Sequence, residues 1–306
     1  MAANSDTRHP HDWLSVHIYY AEPWEALLVN GVKPFVESLL EKKQITQFFF
    51  VRYHEKGPHI RLRLKGTANT VDQTVKDLLI RHFEKYFFDH PSTEGPASTH
   101  FPNNSLQFIE YEPEYERYGG EKGIAISEKQ FFISSIFAIR IMHQNRDWDY
   151  HQAIGFALML NLVLSISTGI RVEDISHFFD YLCTNRIIAT LTDQTSLTEQ
   201  ELNTGLQKLT AALDASFQDQ KPAIFPILKK NWEPFHANEK FVDETYTIWL
   251  ALMKEIVADL SACSIEAHLK WSIYDSYAHM TNNRLGILNW DECLIYYILK
   301  EFFKEI

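Results

Sequence analysis

The chain has 306 residues, 45% of them hydrophobic and 14% aromatic, which is enough apolar material for one large domain or two modest ones and too much for a mainly disordered chain. A formal net charge of −11 argues against broad binding to nucleic acid or to an anionic membrane, which needs excess Lys and Arg, although it leaves room for a local basic pocket. The three cysteines (Cys183, Cys263, Cys293) are widely spaced and form no C-x-x-C, which argues against a disulfide framework or a zinc ribbon.

The polar start, Met1 to Trp13, has no apolar signal core, and its His9 and His11 read as part of a frayed terminus. Trp13 to Tyr20 alternates, with Leu14, Val16, Ile18 and Tyr20 on one face, and reads as a strand. Pro23 suits a first helical turn, and Trp24 to Lys43 carries apolar residues at helical spacing. Gln47 to Tyr53 is apolar on both faces and reads as a central strand covered on both sides. Glu55-Lys56-Gly57-Pro58 is a turn, and His59 to Lys65 alternates strictly, so the two strands form a hairpin. Thr70 to Phe88 follows as a helix and Leu106 to Glu112 as a fourth strand. The order β-α-β-β-α-β is that of a ferredoxin-like sandwich, and the third strand is expected at an edge of its sheet.

From about Ser127 the pattern turns helical. Helices are expected from Ser127 through Arg140, then over Trp148–Ser167, Val172–Asn185, Thr198–Asp219, Val242–Ala262, Ile265–Asn283 and Asp291–Phe303. Thr198 and Glu201 have the spacing of a capping box. The stretch from Gln220 to Glu239, with Pro222, Pro226 and Pro234, reads as an irregular link. Ala153 to Ile166 is the longest apolar run, too short to span a membrane and interrupted by Asn161, so it reads as a buried helix. The expected fold class is α+β: a sheet region over residues 13–126 and a helical region over 127–306, together one compact catalytic unit. A cytoplasmic protein without membrane insertion is expected.

Three constellations carry candidate chemistry. Alternation puts His59, Arg61, Arg63 and Lys65 on one face of the third strand. This stripe reads equally as a solvated outer face or as an anion site, where paired guanidiniums suit a carboxylate. Tyr111 to Gly120 (YEPEYERYGG) gathers Glu114 and Arg117 in a polar, aromatic loop leaving the sheet. On a helix, Asp275, His279 and Asn283 share a face at four-residue steps, so that Asp275 would orient the His279 ring. Taken alone, one His among fourteen more often packs or caps than does chemistry. No H-E-x-x-H, G-x-S-x-G or P-loop is present, and no metal-ligand spacing or cofactor fingerprint stands out, Gly119-Gly120 and Gly123 included.

The strings VRYHEKGPHIRLRLKG, YEPEYERYGG with its following helix, and HMTNNRLGI occur in this order and together resemble the elimination domain of lantibiotic dehydratases, also known as the thiopeptide-type bacteriocin biosynthesis domain. The resemblance covers Trp13 to Phe303. It implies a lyase that removes glutamate from glutamylated Ser or Thr of a ribosomal precursor peptide, leaving dehydroamino acids. It implies no metal and no organic cofactor, a separate tRNA-dependent glutamylating subunit as partner, and no direct contact with nucleic acid. Dimerisation is an expectation carried by the family alone, whose dehydratases tend to be homodimers. The family's paired strand arginines match Arg61 and Arg63, the Glu and Arg of its loop match Glu114 and Arg117, and its C-terminal histidine matches His279. The resemblance makes His279 the base or proton shuttle, has Arg61, Arg63 and Arg117 bind the glutamyl carboxylate and steady developing charge, and leaves Glu114 to pair with an arginine or hold the glutamate amine. Two alternatives share the resemblance: a thiopeptide pyridine synthase, which joins two dehydroalanines and expels the leader peptide, and a peptide-binding scaffold without catalysis.

Overall fold

The computed structural model describes residues 12–67, 69–93, 100–145, 147–192, 197–238 and 240–306; His9 and His11 lie outside them. The described residues fall into two compact units, one drawn from Met1–Glu114 and Phe131–Asp147, the other from Tyr115–Gln130 and Trp148–Ile306.

The first unit is built on four strands: β1 (Trp13–Tyr19), β2 (Gln47–Tyr53), β3 (His59–Lys65) and β4 (Ser105–Phe108). All neighbours run antiparallel in the order β2-β3-β1-β4. With α1 (Lys33–Glu41) and α2 (Lys76–Asp89), each entered through a π-helical segment, the chain has the β-α-β-β-α-β order expected from the sequence. Pro23 follows a cis peptide bond in the connection ahead of the helix and is not part of its first turn. Leu14, Val16, Ile18, Ile60, Leu62 and Leu64 are buried on one face of the sheet. The two helices bury Phe35, Val36, Leu79 and Phe83 and meet where the Phe35 and Phe83 rings touch, and the His82 ring donates to Gly31 O, in the segment leading into α1, at 2.9 Å.

Two expectations about strand position are corrected. β3 lies between β2 and β1, and β2, expected in the centre, is an edge strand. Its Phe48, Phe49 and Phe50 are nevertheless all buried, because the later part of α3 (Gly120–Gln144) covers that edge. Phe132 meets Phe48, Phe131 meets Phe49, and Ser135 Oγ accepts from the Phe50 N–H at 3.2 Å. A covered edge strand has the same continuous apolar run as a central one.

The second unit is helical: the start of α3, then α4 (Tyr150–Ser167), α5 (Val172–Thr192), α6 (Glu199–Asn238), α7 (Glu244–Ser261), α8 (Ala267–Leu285) and α9 (Asn289–Glu305). α3 begins seven residues earlier than the sequence suggested, at Gly120 and not Ser127, because Gly119 and Gly120 take left-handed backbone angles that turn the loop into the helix. α4 has the length and composition to cross a membrane, but 61% of it is buried within the fold, where an all-round apolar helix belongs. The expected Thr198–Glu201 capping box forms, with Thr198 Oγ1 and Glu201 bonding reciprocally. The expected irregular link is instead part of α6 as far as Asn238, with Pro222, Pro226 and Pro234 inside the helix, and Glu239 lies outside the described residues. Leu213, Phe217, Phe225, Leu228, Trp232 and Phe235 form a buried stripe along α6, and its rings pack on Tyr297, Phe302 and Phe303 of α9. That packing outweighs the backbone bonds the prolines cannot make.

Candidate functional site

In the first unit the cationic strand forms a packed face in the middle of the sheet. Across from it on β1, Ser15 pairs with Arg63, His17 with Arg61 and Tyr19 with His59; on β2, Phe49, Val51 and Tyr53 occupy the matching positions. Ser15, His17, Tyr19, His59 and Phe49 are all buried, so this is no solvated surface. The Arg61 guanidinium lies over the Tyr53 ring, 3.3 Å from its centroid. Arg63 lies against Tyr111 at 4.7 Å and Phe49 at 5.2 Å, and Lys65 against Trp13 at 5.1 Å. Aromatic faces hold these cations by their quadrupoles and fix their direction without neutralising them.

Two histidines of this face are neutral. His59 donates from Nδ1 to Gly57 O at 2.8 Å, which leaves Nε2 to accept from Arg61 Nε at 3.3 Å. Burial, with the charge of Arg61, lowers the His59 pKa to about 4. His17 stacks on His59 at 4.7 Å, and burial together with His59, Arg61 and Arg63 lowers it to about 3. Burial also lowers Arg63 to about 10, with Tyr111 and Glu114 favouring its charge and Arg61 opposing it. Glu114 is thus placed where its charge acts on Arg63. Two buried polar atoms here have no hydrogen-bond partner: Arg63 Nε and, directly across the strands, Ser15 Oγ. Ser15 was not singled out by the sequence; only the strand register brings it to Arg63.

The second unit holds Arg117 and His279. Arg117 Nε donates to Ser276 Oγ at 2.9 Å, three residues before His279 on α8. Tyr118 stacks on Tyr277 at 6.5 Å, and the Tyr277 hydroxyl bonds Ser127 Oγ at 2.8 Å, so the loop is seated against α8. The carboxylate on the His279 ring is not Asp275. It is Glu292 of α9, with Oε2 at 2.9 Å and Oε1 at 3.2 Å from Nδ1. Asp275 lies instead at 3.8 Å from Arg186 of α5, and burial raises its pKa despite that neighbour.

Glu292 is fully enclosed. It accepts from Tyr296 OH at 2.6 Å and Asn282 Nδ2 at 3.2 Å, and Arg186 Nε lies 3.3 Å from Oε2. Asn282 is held in turn by Asn161 of α4 at 2.7 Å. Burial works to raise the Glu292 carboxyl, but His279, Arg186 and Tyr296 outweigh it and hold it at about 2. The sequence hid Glu292 because its link to His279 runs across the turn between α8 and α9, where no fixed spacing applies.

Among the described residues, no group of three or more His, Cys, Asp or Glu is placed to hold a metal. A cavity of about 440 Å³ in the first unit, lined by Val36, Leu40, Phe48 and Ile139 among others, contains none of these candidate residues.

Comparison with known proteins places this geometry in a family. Residues 13–303 match the family described as lantibiotic biosynthesis dehydratase C-term. The nisin biosynthesis protein NisB of Lactococcus lactis subsp. lactis is 23% identical over 293 residues, 95% of this chain but 25% of that protein, so the chain spans about a quarter of that relative. Two solved structures share the fold. The pyridine synthase TbtD from thiomuracin biosynthesis has a TM-score of 0.75 at 13% identity, covering 97% of this chain and 99% of that one. The tRNA-dependent lantibiotic dehydratase MibB from Microbispora sp. 107891 has a TM-score of 0.65 at 16% identity, covering 97% of this chain and 28% of that one. The chain therefore belongs to the C-terminal family of lantibiotic biosynthesis dehydratases.

Proposed function

We propose that the chain eliminates glutamate from glutamylated Ser or Thr side chains of a precursor peptide, with glutamylation supplied by a separate tRNA-dependent subunit. The observation that carries this reading is Arg63: a charged, half-buried guanidinium whose enclosed Nε has no partner, beside the equally unpartnered Ser15 Oγ. A buried cation needs an anion, and a glutamyl side chain brings a carboxylate. Arg61 and Arg63 bind that carboxylate, and Arg117 steadies the charge that develops as the reaction proceeds. His279 takes the Cα proton of the esterified Ser or Thr. The electron pair left behind forms the Cα=Cβ double bond, the Cβ–O bond breaks, and glutamate leaves as a carboxylate.

The test is a mass spectrum of glutamylated precursor peptide incubated with the protein. Loss of glutamate, leaving a product one water lighter than the unmodified peptide, is expected. Arg63→Ala and His279→Ala should each slow it on the order of a hundredfold or more; full activity in both variants would remove this assignment. A second reading rests on the end-to-end match to a pyridine synthase, whose fold this chain shares over 97% of its length. Under that reading glutamylated peptide stays unchanged, and a peptide already bearing dehydroalanines loses its leader.

A further inference from the structure

We propose that Glu292 is a positioning residue: it fixes His279 as the Nδ1–H tautomer, so that Nε2 is the atom that accepts the substrate proton. The inference rests on the eliminase reading for its chemistry and on the second unit alone for its geometry. A neutral imidazole has one N–H and one lone pair, and whichever nitrogen is bonded to a carboxylate keeps the hydrogen. Both Glu292 oxygens face Nδ1, at 2.9 and 3.2 Å. Nε2 is left without a partner among the described residues. The carboxylate is itself immobilised from three helices besides its bond to the ring: Arg186 of α5, Asn282 of α8 and Tyr296 of α9.

A purely structural ion pair needs less. Taking a carboxylate fully out of water is costly, and replacing such a group by an apolar one is often neutral or stabilising. Glu292 is buried, Arg186, Asp275 and the His279 ring around it are partly buried, and Asp275 is close enough to Arg186 to complete a pair without Glu292. The arrangement uses a second buried carboxylate whose distinct contact is the histidine. Among the described residues the charged and titratable groups around it are Arg186 from α5, Asp275 and His279 from α8 and Cys293 and Tyr296 from α9, while the neutral Asn161 of α4 reaches it through Asn282.

Two measurements on the full chain test this. Nitrogen-15 spectra of histidine-labelled protein, with His279 assigned by its loss in His279→Gln, report which ring nitrogen keeps its proton as pH rises. Wild type should retain it on Nδ1; retention on Nε2 overturns the inference whether or not any variant folds. In Glu292→Gln, whose amide both donates and accepts, the Nδ1–H preference should be lost. There kcat should fall at least about a hundredfold at little change in KM, since a misoriented base costs the chemical step. Glu292→Asp should recover part of both. A folded Glu292→Gln with unchanged tautomer and unchanged kcat also overturns it. Failure of the wild type to release glutamate would instead count against the eliminase reading, with the nitrogen spectra still deciding the role of Glu292.

Discussion

A methyl group on Gly123 would sit 1.7 Å from the carbonyl oxygen of Tyr118, an overlap that only movement of the backbone can relieve. The loop carrying Arg117 is pressed onto the first turn of α3 at this point, so Gly123→Ala should loosen the Arg117–Ser276 bond and cost at least about 2 kcal/mol in urea unfolding. Gly155 is the contrast. It lies in α4 with nothing within 4 Å of an added Cβ, so Gly155→Ala should stabilise by about 0.5–1 kcal/mol through helix propensity alone. Equal effects of the two changes would refute this account of the loop. Residue types and local spacing are legible at this scale: the sequence nominates the arginines of β3 and the loop pair as candidates, and the family resemblance adds His279. What stayed hidden were partners reached across elements. The i,i+4 rule nominates Asp275 as the carboxylate for His279, and only the packing of α9 on α8 brings Glu292 to the ring.

Elements were legible where periodicity was clean and misread where tertiary cover changes its meaning. Strict alternation found β3, and the β-α-β-β-α-β order followed from it. β2 was misplaced because QFFFV is apolar on both faces, and in this fold the second covered side of the edge strand comes from α3. The three prolines of α6 suggest a break by local rules, yet its buried stripe against α9 keeps it helical. Ser135 gives the edge-strand argument a test. Its hydroxyl is the acceptor for the buried Phe50 N–H, which points away from the ladder to β3. Ser135→Ala leaves that donor unsatisfied and should cost about 1–3 kcal/mol, with faster hydrogen exchange at Phe50 than at Leu62 in the middle of the sheet. Unchanged exchange at Phe50 would mean that α3 does not protect the edge through this bond.

For the molecule as a whole, the buried titratable groups set how stability responds to acid. His17 and His59 titrate near 3 and 4 in the folded protein, well below the ordinary imidazole value of 6.5. A depressed pKa means that the unfolded chain binds protons the folded one refuses. Their contribution is therefore complete above pH 6.5 and is lost as pH falls from there towards 4 and 3. Glu292 acts in the same direction over a lower window, from its ordinary value of 4.5 down to about 2. Asp275, raised by burial, works the other way. The formal charge of −11 also opposes the loss, because acid relieves self-repulsion, but that term is diffuse and weakened by salt. Between pH 6 and 5, at moderate ionic strength, His82, also lowered by burial, adds in the same direction, and His17 and His59 act through the whole interval, since each of their unfolded imidazoles takes up close to one proton. The slope they give approaches about 2.7 kcal/mol per pH unit. Urea midpoints should thus be level above pH 7 and fall steeply below 6.5. His17→Phe keeps a ring for stacking on His59 but removes one proton site, and should lower the slope by about 1.4 kcal/mol per pH unit. A midpoint that holds level down to pH 5 in the wild type would mean that these histidines are not enclosed as neutral rings, and would take away the buried, desolvated setting on which carboxylate binding at Arg61 and Arg63 depends.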